Sequence, residues 1–466
     1  MDLCALTAVD AVGLLRRKEV HPRELVEAAL RRIEQVDPVL NALPTRCFER
    51  ALAHAERASA ESLLAGLPLA VKDLTDVAGV RTTYGSPIFA DSVPETSDIL
   101  VERLEQHDGI VLAKSNTPEF GAGGNTFNAV FGETRNPWDV TRTCGGSSGG
   151  SAAALASGQV WLATGSDLGG SLRTPAGFCG VVGLRPSPGR VARGPSELPF
   201  DTLSVEGPMG RTVADAALML DALAGVHPLD PLSLPPPERQ FLEAALSPQM
   251  PARVAYTPDL GITPVAPEVR AVCDAAAERL AAAGVDVELA HPDLSDAPDA
   301  FQVLRAASFV AGLGPLLETD RELLKADIVW NIEQGLALTT ERLGWAERAR
   351  GGVQQAMARF LERYDLLLCP TSCVAPFEVE TRWVREVDGV VFDNYVDWLR
   401  VTSSITLSGC PVVALPCGLT DGGLPVGMQL VGRPHGDWEL VAAAAGAEQV
   451  LGMAHRVPLL PDGAVV

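Results

Sequence analysis

The stretch "GGSAAALASGQVWLATGSDLGGSLRTPAGFCGVVGLRPSPGR", residues 149–190, decides how this chain folds. Its first ten residues have small side chains and high helix propensity, suited to a closely packed helix. "QVWLATGSD" and "GVVGLRPSPGR" read as apolar strands, and a Gly-Gly-Ser turn lies between them. Strands alternating with helices predict an α/β fold with its sheet covered by helices on both faces.

The pattern continues outward. Upstream, helical "DILVERLEQHDG" precedes strand-like "IVLAKSNTP", and a short apolar strand over residues 67–71 ends in Lys72 and Asp73. Farther out, Thr7 caps one helix, and Pro22 opens another with Leu25, Val26, Leu30 and Ile33 on one face. Downstream, the Pro-rich "HPLDPLSLPPPERQ" (residues 227–240) precedes a segment that reads as largely helical to about residue 363. Strand-like "YDLLLCPTS", "PVVALPCG" and "PVGMQLVG" follow. One domain over residues 1–466 is expected: N-terminal helices to about 60, a core over about 61–225, a mostly helical insertion covering the site over about 226–363, and C-terminal strands over about 364–466 that rejoin the core sheet.

Composition narrows the function. The chain has 466 residues, 47% hydrophobic and 21% charged, as globular proteins have. A net charge of −22 argues against broad contact with a nucleic-acid backbone. No uninterrupted apolar run of about eighteen residues suggests a membrane span. The N-terminus lacks the basic and apolar regions of a signal peptide. Nine scattered cysteines fit a reducing cytosol, so a cytoplasmic location is expected. Cys369 and Cys373 have no neighbouring His or further paired Cys, so neither a metal nor a cofactor is expected.

Two Gly/Ser loops, "CGGSSGG" and "DLGGS", invite a chemical reading. The first has no Lys and so is not a P-loop, and its glycines miss the Rossmann spacing. Glycine-rich turns can instead aim successive N–H groups at a developing oxyanion. A serine nucleophile needs a base. None of the seven histidines (His21, His54, His107, His227, His291, His435, His455) lies in a motif with an Asp or Ser partner. A desolvated lysine is the alternative, because burial lowers an amine's pKa. There are four lysines. Lys18 and Lys325 read as solvated helix positions, whereas Lys72 and Lys114 end apolar strands and are the two candidates for a buried amine.

The blocks "PLAVKD", "VLAKSNTPEF", "NPWD", "CGGSSGGSAAALA", "GSDLGGSLRTPAGFCGVVGLRPS", "LLLCPT" and "LPVGMQLVG" closely resemble the amidase signature family of serine hydrolases, over about residues 22–449. The resemblance implies the family's α/β fold, with a large mixed, twisted β-sheet covered by helices on both faces, and a Ser–Ser–Lys triad. Lys72 matches the base, Ser147 the bridging serine that follows a cis peptide bond, and Ser171 the nucleophile. Lys114 matches a position that is not the base. Leu168, Gly169, Gly170 and Ser171 would offer N–H groups to the oxyanion, and Ser166 would support Ser147. Ser148 and Ser151 read as turn and helix-cap residues, with Ser148 also able to assist Ser147. Gly121, Ala122, Gly123 and Gly124 fall where relatives carry bulkier acyl-pocket residues, which suggests a roomier pocket. Arg173 has two readings, a contact to a substrate carboxylate and a pairing with a local carboxylate such as Asp167.

The implied activity is hydrolysis of a small-molecule linear amide to an acid and an amine or ammonia. The alternatives are the glutamine-hydrolysing component of a tRNA-dependent amidotransferase, and a carbamate, ester or amide-oligomer hydrolase of the same family. A homodimer is a further expectation from relatives. The substrate pocket is expected to draw largely on residues 226–363.

Overall fold

The computed structural model describes residues 2–454 and Pro458; His455, one of the histidines weighed as a base, lies outside the described residues. Eleven strands form one mixed sheet. In chain order they are β1 (Thr45–Arg46), β2 (Pro68–Lys72), β3 (Ile110–Ser115), β4 (Leu162–Asp167), β5 (Val182–Arg185), β6 (Val205–Gly210), β7 (Arg253–Tyr256), β8 (Asp286–Leu289), β9 (Leu366–Pro370), β10 (Val412–Leu419) and β11 (Pro425–Val431). Their order across the sheet is β1-β3-β2-β4-β6-β5-β10-β11-β9-β7-β8. β2 runs parallel to both β3 and β4, while the middle of the sheet is antiparallel.

Successive residues of a strand point to opposite faces, and here both faces are buried. Leu366 and Leu368 of β9 belong to one apolar core, while Leu367 and Cys369 belong to a second. β7 does the same, with Val254 and Tyr256 on one side and Ala255 on the other. This explains why the strands read as continuous apolar runs rather than as alternating ones. The predicted helix ends are also found. Thr7 Oγ1 accepts the Asp10 N–H at 3.0 Å at the start of the Ala8–Arg16 helix, and Pro22 is the first residue of the Pro22–Leu40 helix.

The region after the Pro-rich break is mostly helical, and it also holds two strands that its helical pattern hides: β7 and β8 pair in parallel and extend the sheet edge beyond β9. Each has only four residues and is followed by a long helix or loop, so helical periodicity dominates the segment. A short helix, Arg173–Cys179, also stands where only loop and strand were expected. Among the described residues, Ala297–Thr319 alone is long and apolar enough to cross a membrane, by length and composition. Core helices pass the same test, and this one turns Phe301, Arg305 and Phe309 toward the cleft described below.

Candidate active site

The site forms at the carboxyl ends of the parallel strands, where α/β sheets open crevices. β2 ends in Lys72, and β4 ends in Ser166 and Asp167. The Lys72 N–H donates to Thr164 Oγ1 at 2.9 Å, tying the two strands beside the amine. The first Gly/Ser loop crosses these ends and feeds the Gly149–Ala156 helix. Glycine is required there, because a Cβ on Gly150 would lie 2.3 Å from the Asn116 amide nitrogen. The Gly146–Ser147 peptide bond is cis.

Lys72 is fully buried. Its Nζ donates to Ser147 Oγ at 2.7 Å, Ser166 Oγ at 2.9 Å and Ser148 Oγ at 3.0 Å. Three hydroxyls satisfy three N–H donors without supplying a negative charge. Burial therefore governs, and lowers the amine to about 7 against the opposing pull of Glu206 and Asp167. Ser148 and Ser166 take positions that differ from expectation. Ser148 Oγ faces the amine and makes no cap bond to the helix it precedes. Ser166 Oγ bonds Lys72, not Ser147. Ser151 is no cap either: its hydroxyl donates to Thr164 O at 2.7 Å within the buried helix.

Ser171 lines the same cleft as Ser147 and is half-buried. Its hydroxyl makes no hydrogen bond among the described residues, so the path from Lys72 is closed as far as Ser147 and open beyond it. Gly170 has φ +124°, and a Cβ there would lie 2.4 Å from Thr402 Oγ1. Thr402 Oγ1 in turn donates to Gly169 O at 2.7 Å and fixes the loop. The Gly170 N–H is taken, since it donates to Asp167 Oδ1 at 3.0 Å. This corrects the expectation of four oxyanion donors; the loop's remaining candidates are the N–H groups of Leu168, Gly169 and Ser171.

Arg173 takes the second of its two readings, the pairing with Asp167. It is 0% exposed and uses all five N–H donors on protein acceptors. Nε and Nη2 form a two-pronged pair with Asp167 at 2.9 and 2.8 Å; Nη1 donates to Thr402 O and Gln429 Oε1 at 2.8 and 2.7 Å; Nη2 also donates to Thr406 Oγ1 at 2.9 Å. No donor is left for a substrate carboxylate. Burial alone would push the Asp167 carboxyl up, but Arg173 and Arg185 overcome it and hold it well below the carboxylate range. The cluster is the anchor from which the Gly169–Ser171 turn hangs.

Of the glycine-rich segment, Gly121, Gly123 and Gly124 line the cleft. Ala122 does not: its side chain packs in a core with Phe309, Ile328 and Ile332. A Cβ on Gly121 would lie 2.9 Å from Leu74 Cδ1 and 3.4 Å from Ser147 Oγ, so the missing side chain lets this backbone and Leu74 close in on Ser147. Lys325 is another departure. Its side chain is 17% exposed, donates to Ala122 O at 2.6 Å and pairs with Asp327 at 3.4 Å. The cleft has further walls that lie outside the motif blocks: Phe301, Phe309, Leu399 and Arg305, with Phe120 from the end of "VLAKSNTPEF". Phe301, Arg305 and Phe309 stand at i, i+4 and i+8, a helical-face spacing visible in the sequence. Among the described residues no group of three or more His, Cys, Asp or Glu side chains is placed to hold a metal ion.

The comparison with known families decides the kinship: residues 24–441 match the family model described as Amidase. The chain belongs to the amidase signature family. It is 36% identical to the A-type component of the glutamyl-tRNA(Gln) amidotransferase of Moorella thermoacetica, over 99% of each chain. It is 33% identical to the acylamidase of Rhodococcus erythropolis, over 97% of each chain. A crystal structure of a bacterial aryl acylamidase of the amidase signature family superimposes with a TM-score of 0.91 at 29% identity, covering 98% of this chain and 99% of that one. The amidase signature member described here thus resembles both acylamidases and amidotransferase components, and its family acts on carbon–nitrogen bonds.

Proposed function

We propose that this amidase signature protein hydrolyses a linear carboxamide through an acyl-enzyme on Ser171. The observation that carries the reading is the buried Lys72, lowered to about 7 and bonded at 2.7 Å to a serine that shares a cleft with Ser171. Neutral Lys72 accepts the Ser147 proton as Ser147 accepts that of Ser171. Ser171 Oγ attacks the amide carbon, and the N–H groups of Leu168, Gly169 and Ser171 receive the oxyanion. The proton returns through Ser147 to the leaving nitrogen. Water then repeats the sequence on the ester and releases the acid. The open Ser147–Ser171 step closes when substrate fills the cleft, as catalytic hydrogen bonds do on binding.

Mass spectrometry of protein quenched during turnover of an anilide or aliphatic amide tests the reading. A covalent acyl adduct mapping to Ser171 is expected, and none in Ser171→Ala. If no simple amide or ester acylates the wild-type chain, the proposal fails. The Moorella relative supports a second reading, a glutamine-hydrolysing component that works in a complex. Glutaminase activity that appears only on adding candidate partner proteins would establish it over the free hydrolase.

A further inference from the structure

The cleft beside Ser171 carries one formal charge. Its lining is otherwise apolar side chains, glycines and serines, with no carboxylate, and the charge is the guanidinium of Arg305. Arg305 is 6% exposed. Its hydrogen bonds and ring contacts among the described residues are all to neutral groups: Asn331 Oδ1, the Tyr395 hydroxyl, and the ring faces of Phe309 at 4.1 Å and Tyr395 at 5.2 Å; the charge within its reach is a second cation, Lys325. The two carboxylates around the neighbouring Lys325 are committed elsewhere. Asp327 pairs with Lys325 at 3.4 Å, and Glu119 accepts from Ser86 Oγ at 2.6 Å and from the Lys325 N–H at 2.8 Å. The contrast with Arg173 is direct: one buried guanidinium has every donor bonded and a carboxylate clamped on it, while the other faces a cleft without a counter-ion.

A buried charge without a partner is costly, and buried cations are paired as a rule. A guanidinium presents donors in a planar fork that matches a carboxylate two-pronged. Its place is also right. Phe301 lies against the oxyanion turn, within 3.1 Å of where a Cβ on Gly169 would sit. Arg305 follows one helical turn later, about 6 Å along the axis. We propose, resting on the amidase reading above, that the substrate is an amide bearing a carboxylate, which Arg305 receives one helical turn from the scissile bond while the phenylalanines cover the connecting carbons. Arg305 is then the specificity-determining residue, and it supplies the counter-charge that draws an anion into a cleft of an otherwise acidic protein.

The experiment compares kcat/KM within matched pairs. Succinamate, glutaramate and adipamate are set against butyramide, valeramide and hexanamide, which places the carboxylate on the acyl side. 4-Acetamidobenzoate against acetanilide places it on the amine side. The wild type is expected to prefer the charged member of at least one pair by tenfold or more, and the pair that shows it locates the carboxylate. In Arg305→Gln the ratio should fall at least tenfold, mainly through KM of the charged substrate. Arg305→Lys, which keeps the charge and loses the fork, should fall between. A ratio near one in the wild type overturns the proposal, as does a variant in which charged and neutral members fall by the same factor. Should the variants not fold, the wild type still decides: glutarate must inhibit acylation competitively at least tenfold more tightly than glutaramide. Acylation of Ser171 by a neutral amide without any preference sinks the Arg305 assignment alone, whereas no acylation by any amide or ester sinks the amidase reading beneath it.

Discussion

Two lysines stand side by side on β2 and β3, both fully buried at the carboxyl ends of parallel strands, and they have opposite chemistry. Lys72 meets only hydroxyls and sits near 7. Lys114 donates to Thr75 O and Thr82 Oγ1, each at 2.7 Å, and faces Asp73 Oδ1 at 3.2 Å. Burial lowers Lys114 too, but Asp73 pulls the other way and supplies a counter-ion. Equal burial therefore does not make a proton-accepting amine; the two lysines are also one residue apart in register, Lys72 opposite Ser115 and Lys114 opposite Val71. The difference is one carboxylate, which turns a buried amine from a proton acceptor into half of an ion pair that ties β3 to the loop after β2.

The two amines differ most in what their loss does to the chemistry. Lys72→Met and Ser171→Ala should each lower kcat by about 10⁴-fold or more, since members of a relay fail together, and the double variant should be no worse than either alone. Steady-state rates on one amide check this; additive losses would separate the two residues into independent roles. Lys114→Met should do the reverse. It leaves Asp73 buried and unpaired, and the expected cost is about 3–5 kcal/mol in urea unfolding, with any surviving folded enzyme still acylated at Ser171. A Lys114 variant that is fully stable yet inactive would exchange the roles assigned to the two amines.

pH sharpens the comparison further. Lys72 is lowered, so its neutral, proton-accepting form prevails above about 7 and is lost as pH falls through that value. The pH profile of kcat/KM should rise through about 7 to a plateau, and the unfolding stability of the chain should gain with pH above this point, where the unfolded lysine still holds its proton and the folded one does not. A rising limb displaced to about 9 or above would mean that the relay base is not the buried amine.

The proposed triad is legible in sequence because motif blocks are local: "VKD", "GGSSGG" and "DLGGS" each carry one of its residues. Roles that depend on distant partners were not legible. Arg173 had two readings until Thr402, Thr406 and Gln429 arrived from more than two hundred residues away to fill its donors. Gly170 lost its oxyanion role to a carboxylate three residues back, a bond set by loop geometry that no motif specifies. Lys325 looked solvated on its helix, and is largely covered because the Ala122 carbonyl and Asp327 meet it there. β7 and β8 were missed because four-residue strands embedded among helices leave almost no period to read. The Phe301–Arg305–Phe309 face was visible as a face, but which surface it would meet is decided by packing of the whole insertion across the sheet.

The smallest effect isolates the electrostatics of the pair. Glu206 of β6 is opposite Ser166 of β4 in the antiparallel register, so both side chains emerge on one face, the face where Ser166 Oγ accepts from Lys72. Glu206 Oε2 is buried and has no hydrogen-bond partner among the described residues, and burial pushes its carboxyl up. As a carboxylate it draws the Lys72 amine upward, against burial. Glu206→Gln removes that pull at nearly constant volume. Lys72 should then fall, and the rising limb of kcat/KM should move to lower pH, while the plateau drops modestly because a weaker base takes protons less well. Lys114→Met, which takes a charge from the neighbouring strand but not from the face shared with Ser166, should leave the limb in place. A limb that moves up in Glu206→Gln, or moves equally in both variants, would show that the field at Lys72 is set by the sheet as a whole and not by the carboxylate beside it.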